Sequence, residues 1–396
     1  MRYFAFRKSV TLTHPINCIM RLAFAMFLLM SSGLQAQTTI SGSFDHGGIT
    51  RTYSFYVPAS NVPGQPVALV LNLHGLSTDG AFQSQYRDFK PIADTANFIV
   101  AHPDGSMLLG QRFWNYGNVF GSTVDDVGFL EALIDTIAAS YSINPDRVYC
   151  AGMSNGSFMS YFLACQSDRF AAIATVTGSM SVDMYNSCTP SHPIPAIHIH
   201  GLSDGVNPYS GTSTMQDVAS VNMFWVNQNG CSTTPLITQV PDIDPGDNAS
   251  AEQYLYAGGI HGHTVELFTV TGGGHTWPGA PVPGATDNTC MDFSASKEIW
   301  RFFSQYERAG EASVVENSSV EWNIWPNPAN DFLYLDFDQG NPKRISISNV
   351  LGREVIQQTD QFGIVDLRGL SPGNYTVRVS GDDFVAVKRL NIVSVQ

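Results

Sequence analysis

Three residues of this 396-residue sequence stand in settings suited to nucleophilic catalysis: Ser154, Asp204 and His275. Ser154 lies in Gly152-Met153-Ser154-Asn155-Gly156, a Gly-x-Ser-x-Gly run. A serine hydroxyl is a weak nucleophile, so it needs a base to take its proton and an acid to orient that base. Asp204, in His200-Gly201-Leu202-Ser203-Asp204-Gly205, is the candidate acid; His275, after Gly272-Gly273-Gly274, is the candidate base. Nucleophile, acid, base is one of the chain orders in which such triads occur. The charge that builds on an attacked carbonyl oxygen calls for N–H donors. Asn155, at the start of a predicted helix, offers one where the helix end is partly positive, and Leu76, in His74-Gly75-Leu76, offers a second from its backbone. The chemistry implied is attack on an ester or amide carbonyl through a covalent acyl intermediate, and it requires no cofactor.

Each of these residues must be carried to the site by an element. Arg147 to Ala151 is a short run of β-formers, and Ser157 to Cys165 has Phe158, Met159, Phe162 and Leu163 at helical spacing, so Ser154 falls on a strand–turn–helix join. Val67 to Leu73 is almost continuously apolar, as in a strand buried on both faces, and it delivers His74-Gly75-Leu76. Phe98 to Ala101, Ala171 to Val176, Ile194 to Ile199 and Val265 to Val270 read as further strands, the last two ending just before the Asp204 and His275 loops. Val127 to Tyr141, Met215 to Trp225 and Ala295 to Tyr306 have helical periodicity. Arg51 to Val57 alternates and reads as an antiparallel edge strand. Strands alternating with helices predict a mostly parallel sheet with helices on both faces. Trp277, beside the base, and Phe113-Trp114 are candidates to wall an acyl pocket.

Residues 1–36 read as a secretory signal, with Arg2, Arg7, Lys8 and Arg21 ahead of apolar Leu22 to Met30 and a Leu34-Gln35-Ala36 cleavage site. Nine apolar residues are too few to span a bilayer, which takes about 20. The esterase-type domain then covers 37–309. Residues 310–321 are small and polar, a linker, and 322–396 hold short β-rich runs between turns, the pattern of a small antiparallel sandwich. The chain after the signal carries 16 Lys and Arg against 34 Asp and Glu, a formal charge of −18, which argues against nucleic acid or anionic membrane as partner. Its cysteines are Cys150, Cys165, Cys188, Cys231 and Cys290. Pairing Cys165 with Cys188 and Cys231 with Cys290 closes two segments and leaves Cys150 as a buried thiol. No metal site is assigned: the His198/His200 and His261/His263 pairs read as structural histidines, and Asp242, Asp244 and Asp247 as a solvated loop. Asp125 or Asp126 caps the helix from Val127.

Arg51-Thr52-Tyr53, Leu73-His74-Gly75, Asp125-Asp126-Val127-Gly128-Phe129, the Ser154 run, the Asp204 run and Gly274-His275-Thr276-Trp277-Pro278-Gly279 together resemble the secreted feruloyl esterase and poly(3-hydroxybutyrate) depolymerase family. The resemblance covers about residues 40–308. It implies an α/β-hydrolase fold with Ser154 as nucleophile, Asp204 as acid and His275 as base, acting on esters of plant cell-wall polysaccharide or on a polyester. The family often has a cysteine after its His-Gly; Leu76 stands there, which keeps the backbone amide and speaks against a bridge from that loop. Trp325-Pro326-Asn327-Pro328-Ala329, Val350-Leu351-Gly352, Leu367 to Tyr375 and Lys388-Arg389-Leu390 resemble the C-terminal sorting domain of type IX secretion. That resemblance implies the secretion machinery as a partner and a secreted or cell-surface location. A prolyl-peptidase-like serine protease and a non-catalytic surface glycan-binding protein are the rival readings.

Overall fold

The computed structural model describes residues 37–308, 322–337, 343–349, 354–359, 363–380 and 385–393. The signal of residues 1–36 and the linker of 310–321 lie outside the described residues, as does Val350-Leu351-Gly352. The chain divides into two compact units, one ending at Phe303 and the other running from Ser304.

The first unit is built on a ten-stranded sheet. An antiparallel pair, β1 (Thr38–His46) and β2 (Ile49–Val57), opens it. Then come β3 (Val67–Leu73), two short helices α1 (Gly80–Tyr86) and α2 (Lys90–Ala96), and β4 (Phe98–Pro103). A small hairpin, β5 (Ser106–Leu108) with β6 (Gln111–Phe113), precedes α3 (Asp126–Ala138). The chain continues through β7 (Ile143–Met153), α4 (Asn155–Gln166), β8 (Ala172–Val176), α5 (Val182–Ser187), β9 (Ala196–Gly201) and α6 (Val218–Gln228). It ends with β10 (Leu236–Gln239), β11 (Ser250–Tyr256), β12 (Val265–Thr271) and α7 (Ala295–Phe303). The order across the sheet is β1-β2-β4-β3-β7-β8-β9-β12-β11-β10. From β4 to β12 all neighbours are parallel; β2 on one side and β11 on the other join antiparallel. Every residue of β3, β4, β8 and β9 is buried, so both faces of this central sheet are covered.

One expectation is corrected here. Arg51 to Val57 lies in a strand that is antiparallel, but β1 pairs along its outer side and takes the edge. The run Val265 to Val270 is the last strand of this unit in chain order and ends the parallel series; β11 and β10, which precede it in the chain, extend the sheet beyond it. All four residues of β10 are exposed, so no apolar pattern betrays it.

Helix α4 follows the Ser154 turn and is buried at ten of its twelve residues. Polar groups on it are satisfied at once: Ser157 Oγ donates within 2.8 Å of the Gly152 and Val176 carbonyls, and Ser160 Oγ donates to Gly156 O at 2.9 Å. These bonds fix the helix against the strand that leads into Ser154. A disulfide between Cys165 and Cys188 joins the end of α4 to the end of α5. Cys150 is a buried thiol beside Ser160 Oγ, and burial pushes it up to about 12. The pairing of Cys231 with Cys290 is not formed. Each thiol is turned into its own surroundings, Cys231 Sγ toward the His263 carbonyl at 3.5 Å and Cys290 Sγ toward Asp292 at 3.6 Å, so flanking the same segment does not bring them together.

The second unit has two antiparallel sheets. One runs β13 (Trp322–Trp325), β14 (Phe332–Phe337), β17 (Ile364–Asp366); the other runs β16 (Glu354–Gln358), β15 (Arg344–Asn349), β18 (Gly373–Ser380), β19 (Val385–Ile392). Leu333, Leu335 and Val365 of the first share one apolar cluster with Ile345, Ile347, Val377, Val379 and Leu390 of the second, which makes a small sandwich.

Candidate active site

The sheet order reverses at β3, whose neighbours are β4, reached by going outward, and β7, reached by returning. Such a switch opens a crevice beyond the carboxyl ends of the strands. The loops after β3, β7, β9 and β12 carry Leu76, Ser154, Asp204 and His275.

Ser154 has φ 55° and ψ −120°, a conformation L-residues rarely adopt. The turn is this sharp because strand and helix nearly touch. A Cβ at residue 152 would lie 2.2 Å from Gly156 O, and one at residue 156 would lie 2.5 Å from Leu73 O. Glycine at both positions is therefore a steric requirement. The Ser154 N–H donates to Val176 O at 2.9 Å, which holds the turn to β8.

Asp204 and His275, 71 residues apart, meet at 2.8 Å between Oδ2 and Nδ1. The other oxygen of Asp204 accepts the N–H groups of Val206 (2.9 Å) and Asn207 (2.8 Å). Burial works to raise this carboxyl's pKa, but the His275 and Asn207 hydrogen bonds outweigh it, and the net shift is downward. A carboxylate on Nδ1–H leaves Nε2 of His275 as the basic nitrogen. His275 and Ser154 line one cavity of about 250 Å³, with no direct hydrogen bond between them.

Behind Asp204 stands a buried hydrogen-bonded chain that includes the His198/His200 pair. His200 Nε2 faces the Asn207 carbonyl at 2.8 Å and so carries the proton; its Nδ1 then accepts from His198 Nε2 at 3.0 Å. His198 Nδ1 in turn accepts from Thr175 Oγ1 (2.6 Å) or Tyr161 Oη (2.9 Å). Both rings are neutral, and burial pushes both below the ordinary histidine value. His200 Nε2 also lies 3.6 Å from Asp204 Oδ2, so the pair backs Asp204.

The loop after β3 is braced as firmly. His74 is fully buried; its Nδ1 donates to Gly75 O (2.7 Å) and its Nε2 accepts the Gly105 N–H (2.9 Å). A Cβ on residue 75 would sit 3.5 Å from Ser154 Cβ, which places the loop against Ser154. Neither the Leu76 nor the Asn155 N–H has an acceptor among the described residues. The Asn155 side chain clamps Trp114, with Oδ1 accepting its N–H at 2.6 Å and Nδ2 donating to its carbonyl at 3.2 Å. Buried Arg51 completes the frame: Nη2 meets Asp126 Oδ1 at 2.6 Å, its guanidinium lies 3.7 Å over Phe129, and Asp126 Oδ2 accepts the Asn115 N–H at 2.7 Å. Asp125 caps α3 by accepting Gly128 N–H at 2.8 Å.

Trp277 walls the cavity, its Nε1 donating to Ser296 Oγ at 3.1 Å. Trp114 does not. It is fully buried and its Nε1 donates to His74 O at 3.0 Å, so it is a brace behind the loop rather than a pocket wall. Phe113 is likewise buried away from the cavity. Further wall comes from Met153 of the Ser154 run and from α1 and its end, where Phe82, Gln83 and Arg87 belong to no motif in the sequence. Among the described residues Asp247, Cys290 and Asp292 bring donor atoms within 4.8 Å of one another. The carboxylates already accept the N–H groups of Ile243, Asp244, Ala249 and Met291, and so tie two loops together.

Residues 90–244 match the Prolyl oligopeptidase family, and residues 323–393 match the Secretion system C-terminal sorting domain. The chain is 26% identical over 272 residues to the bifunctional acetylxylan esterase/xylanase XynS20E of Neocallimastix patriciarum, covering 68% of this chain and 35% of that protein. It is 29% identical over 233 residues to feruloyl esterase B of Piromyces equi, 55% of this chain and 41% of that one. It is also 27% identical over 307 residues to poly(3-hydroxyalkanoate) depolymerase C of Paucimonas lemoignei, 72% of this chain and 69% of that one. The chain thus spans well under half the length of the first two. Its large unit is an α/β-hydrolase-class mixed sheet with helices, followed by small antiparallel sheets that bear a secretion sorting tail. No helix among the described residues is long and apolar enough to cross a membrane.

Proposed function

We propose that the protein is an exported serine carboxylic-ester hydrolase acting on feruloyl or other acyl esters of plant cell-wall polysaccharide, or on a poly(3-hydroxybutyrate)-type polyester. The observation that carries this reading is the 2.8 Å Asp204–His275 bond at the cavity that Ser154 also lines. In the reaction His275 Nε2 takes the Ser154 Oγ proton as Oγ attacks the ester carbonyl. Asp204 keeps Nδ1 protonated and stabilises the imidazolium. The Leu76 and Asn155 N–H groups receive the oxyanion, helped by the positive end of α4. His275 then protonates the leaving alcohol, and water repeats the cycle on the acyl-enzyme. The names of the relatives support ester over amide substrates, and the sorting tail supports delivery to the cell surface or medium by type IX secretion.

The match to the Prolyl oligopeptidase family favours one second reading, a peptidase on the same fold. A single panel separates them: methyl ferulate, acetylated xylan, hydroxybutyrate oligomers, p-nitrophenyl acyl esters and a prolyl peptide amide. Turnover of esters only is expected, with Ser154→Ala and His275→Ala losing roughly 10⁴- to 10⁶-fold in kcat and Asp204→Asn roughly 10⁴-fold. Substantial ester turnover by Ser154→Ala would remove the assignment, and amide cleavage exceeding ester cleavage would favour the peptidase.

A further inference from the structure

The wall of the cavity contains a charge that nothing answers. Arg87, at the end of α1, is only 6% exposed, and its Nε is 3.1 Å from Met153 Sδ. The guanidinium carbon lies 4.8 Å from the Phe82 ring centroid, and Nη1 is buried with no acceptor among the described residues. No Asp or Glu among the described residues lines the cavity. Desolvation brings this guanidinium down to about 10, with no carboxylate among the described residues countering it. Elsewhere in the same unit buried Arg51 has its carboxylate, Asp126. An arginine left unpaired beside a nucleophile is a ready receptor for an anionic oxygen from outside the chain, because its planar fork matches a carboxylate in two parallel hydrogen bonds.

Resting on the hydrolase reading above, we infer that Arg87 is a specificity residue that selects acyl groups bearing a carboxylate distal to the scissile ester. The cavity assigns the carboxylate to the acyl side. At about 250 Å³ it holds one small acyl group, whereas a polymeric alcohol must lead out to solvent. The flanking Phe82, Met153, Leu76 and Trp277 suit the carbon chain between the two carbonyl ends.

The test compares kcat/KM for mono-p-nitrophenyl glutarate and its neutral isostere, p-nitrophenyl 5-methylhexanoate, on the full chain without its signal. The protein should prefer the glutarate roughly 10²-fold or more, because a site that leaves a buried donor unpaired rejects the analogue lacking the partner. Arg87→Met should lose that preference, kcat/KM falling far more for the glutarate than for the neutral ester, and Arg87→Lys should retain part of it. Removing an unpaired buried charge should not unfold the chain. A parent protein that favours the neutral ester, or an Arg87→Met with an unchanged ratio, overturns the inference. Failure of the hydrolase reading looks different: no turnover of either ester and no fluorophosphonate labelling of Ser154.

Discussion

Acid should loosen the loop that holds Leu76, and His74 sets the scale. In the folded chain burial holds this ring down to about 4, while its Nε2 is occupied in accepting the Gly105 N–H. Taking a proton there would cost both desolvation and that hydrogen bond. In the unfolded chain the ring returns to its ordinary value, about 6.5. Because the folded value is the lower one, the unfolded state binds the extra proton as pH falls. The stabilisation is therefore complete above about pH 6.5 and is lost as pH falls toward 4. With those two values the linkage relation gives a loss of about 2 kcal/mol by pH 5 and about 3 kcal/mol by pH 4, a slope near ~1 kcal/mol per pH unit between. His102, fully buried and held down to about 3 by burial and Lys90, adds a second slope of the same sign. The assay is guanidinium unfolding of a chain ending near Glu316 and of the longer chain, at half-unit steps from pH 7.5 to 4.5, for the parent and for His74→Asn. The variant starts less stable at pH 7, and the gap should close by about 2 kcal/mol on going to pH 5. A gap that stays constant with pH would refute the neutral buried ring.

The remaining expectations concern covalent and domain architecture. Replacing Cys165 and Cys188 by serine should cost about 3 kcal/mol, from the 23-residue separation on the chain-entropy model, read as a lower guanidinium midpoint; blocking free thiols before and after reduction should release two further thiols only, since Cys150, Cys231 and Cys290 are already free. A chain ending near Glu316 should fold and keep its kcat on a soluble ester, yet remain in the periplasm of the native host. Extracellular esterase activity equal to that of the full chain would show that residues 322–396 are not the export signal.

What the sequence discloses about this molecule is the part whose geometry is local. The strand-to-helix turn at Ser154 forces glycine at 152 and 156, because any Cβ there would strike backbone, and that constraint is written in the residue types. Strand-end loops likewise announce Asp204 and His275, since β9 and β12 are runs rich in β-forming residues that stop at glycine-bearing polar loops. The pocket is different in kind. Whether an aromatic faces a cavity depends on what long-range packing puts in front of it: Trp277 and Trp114 look alike in sequence, but the His74 carbonyl and the Asn155 amide take up Trp114 and turn it into a brace. The same holds for Cys231 and Cys290, whose segments are adjacent in the chain's plan while their thiols face His263 and Asp292. Arg87 is the clearest case, because an arginine after a short helix reads as an ordinary surface charge. Only the folded chain removes its water and withholds a carboxylate, and those two facts, neither of them local, are what give it a consequence for substrate choice.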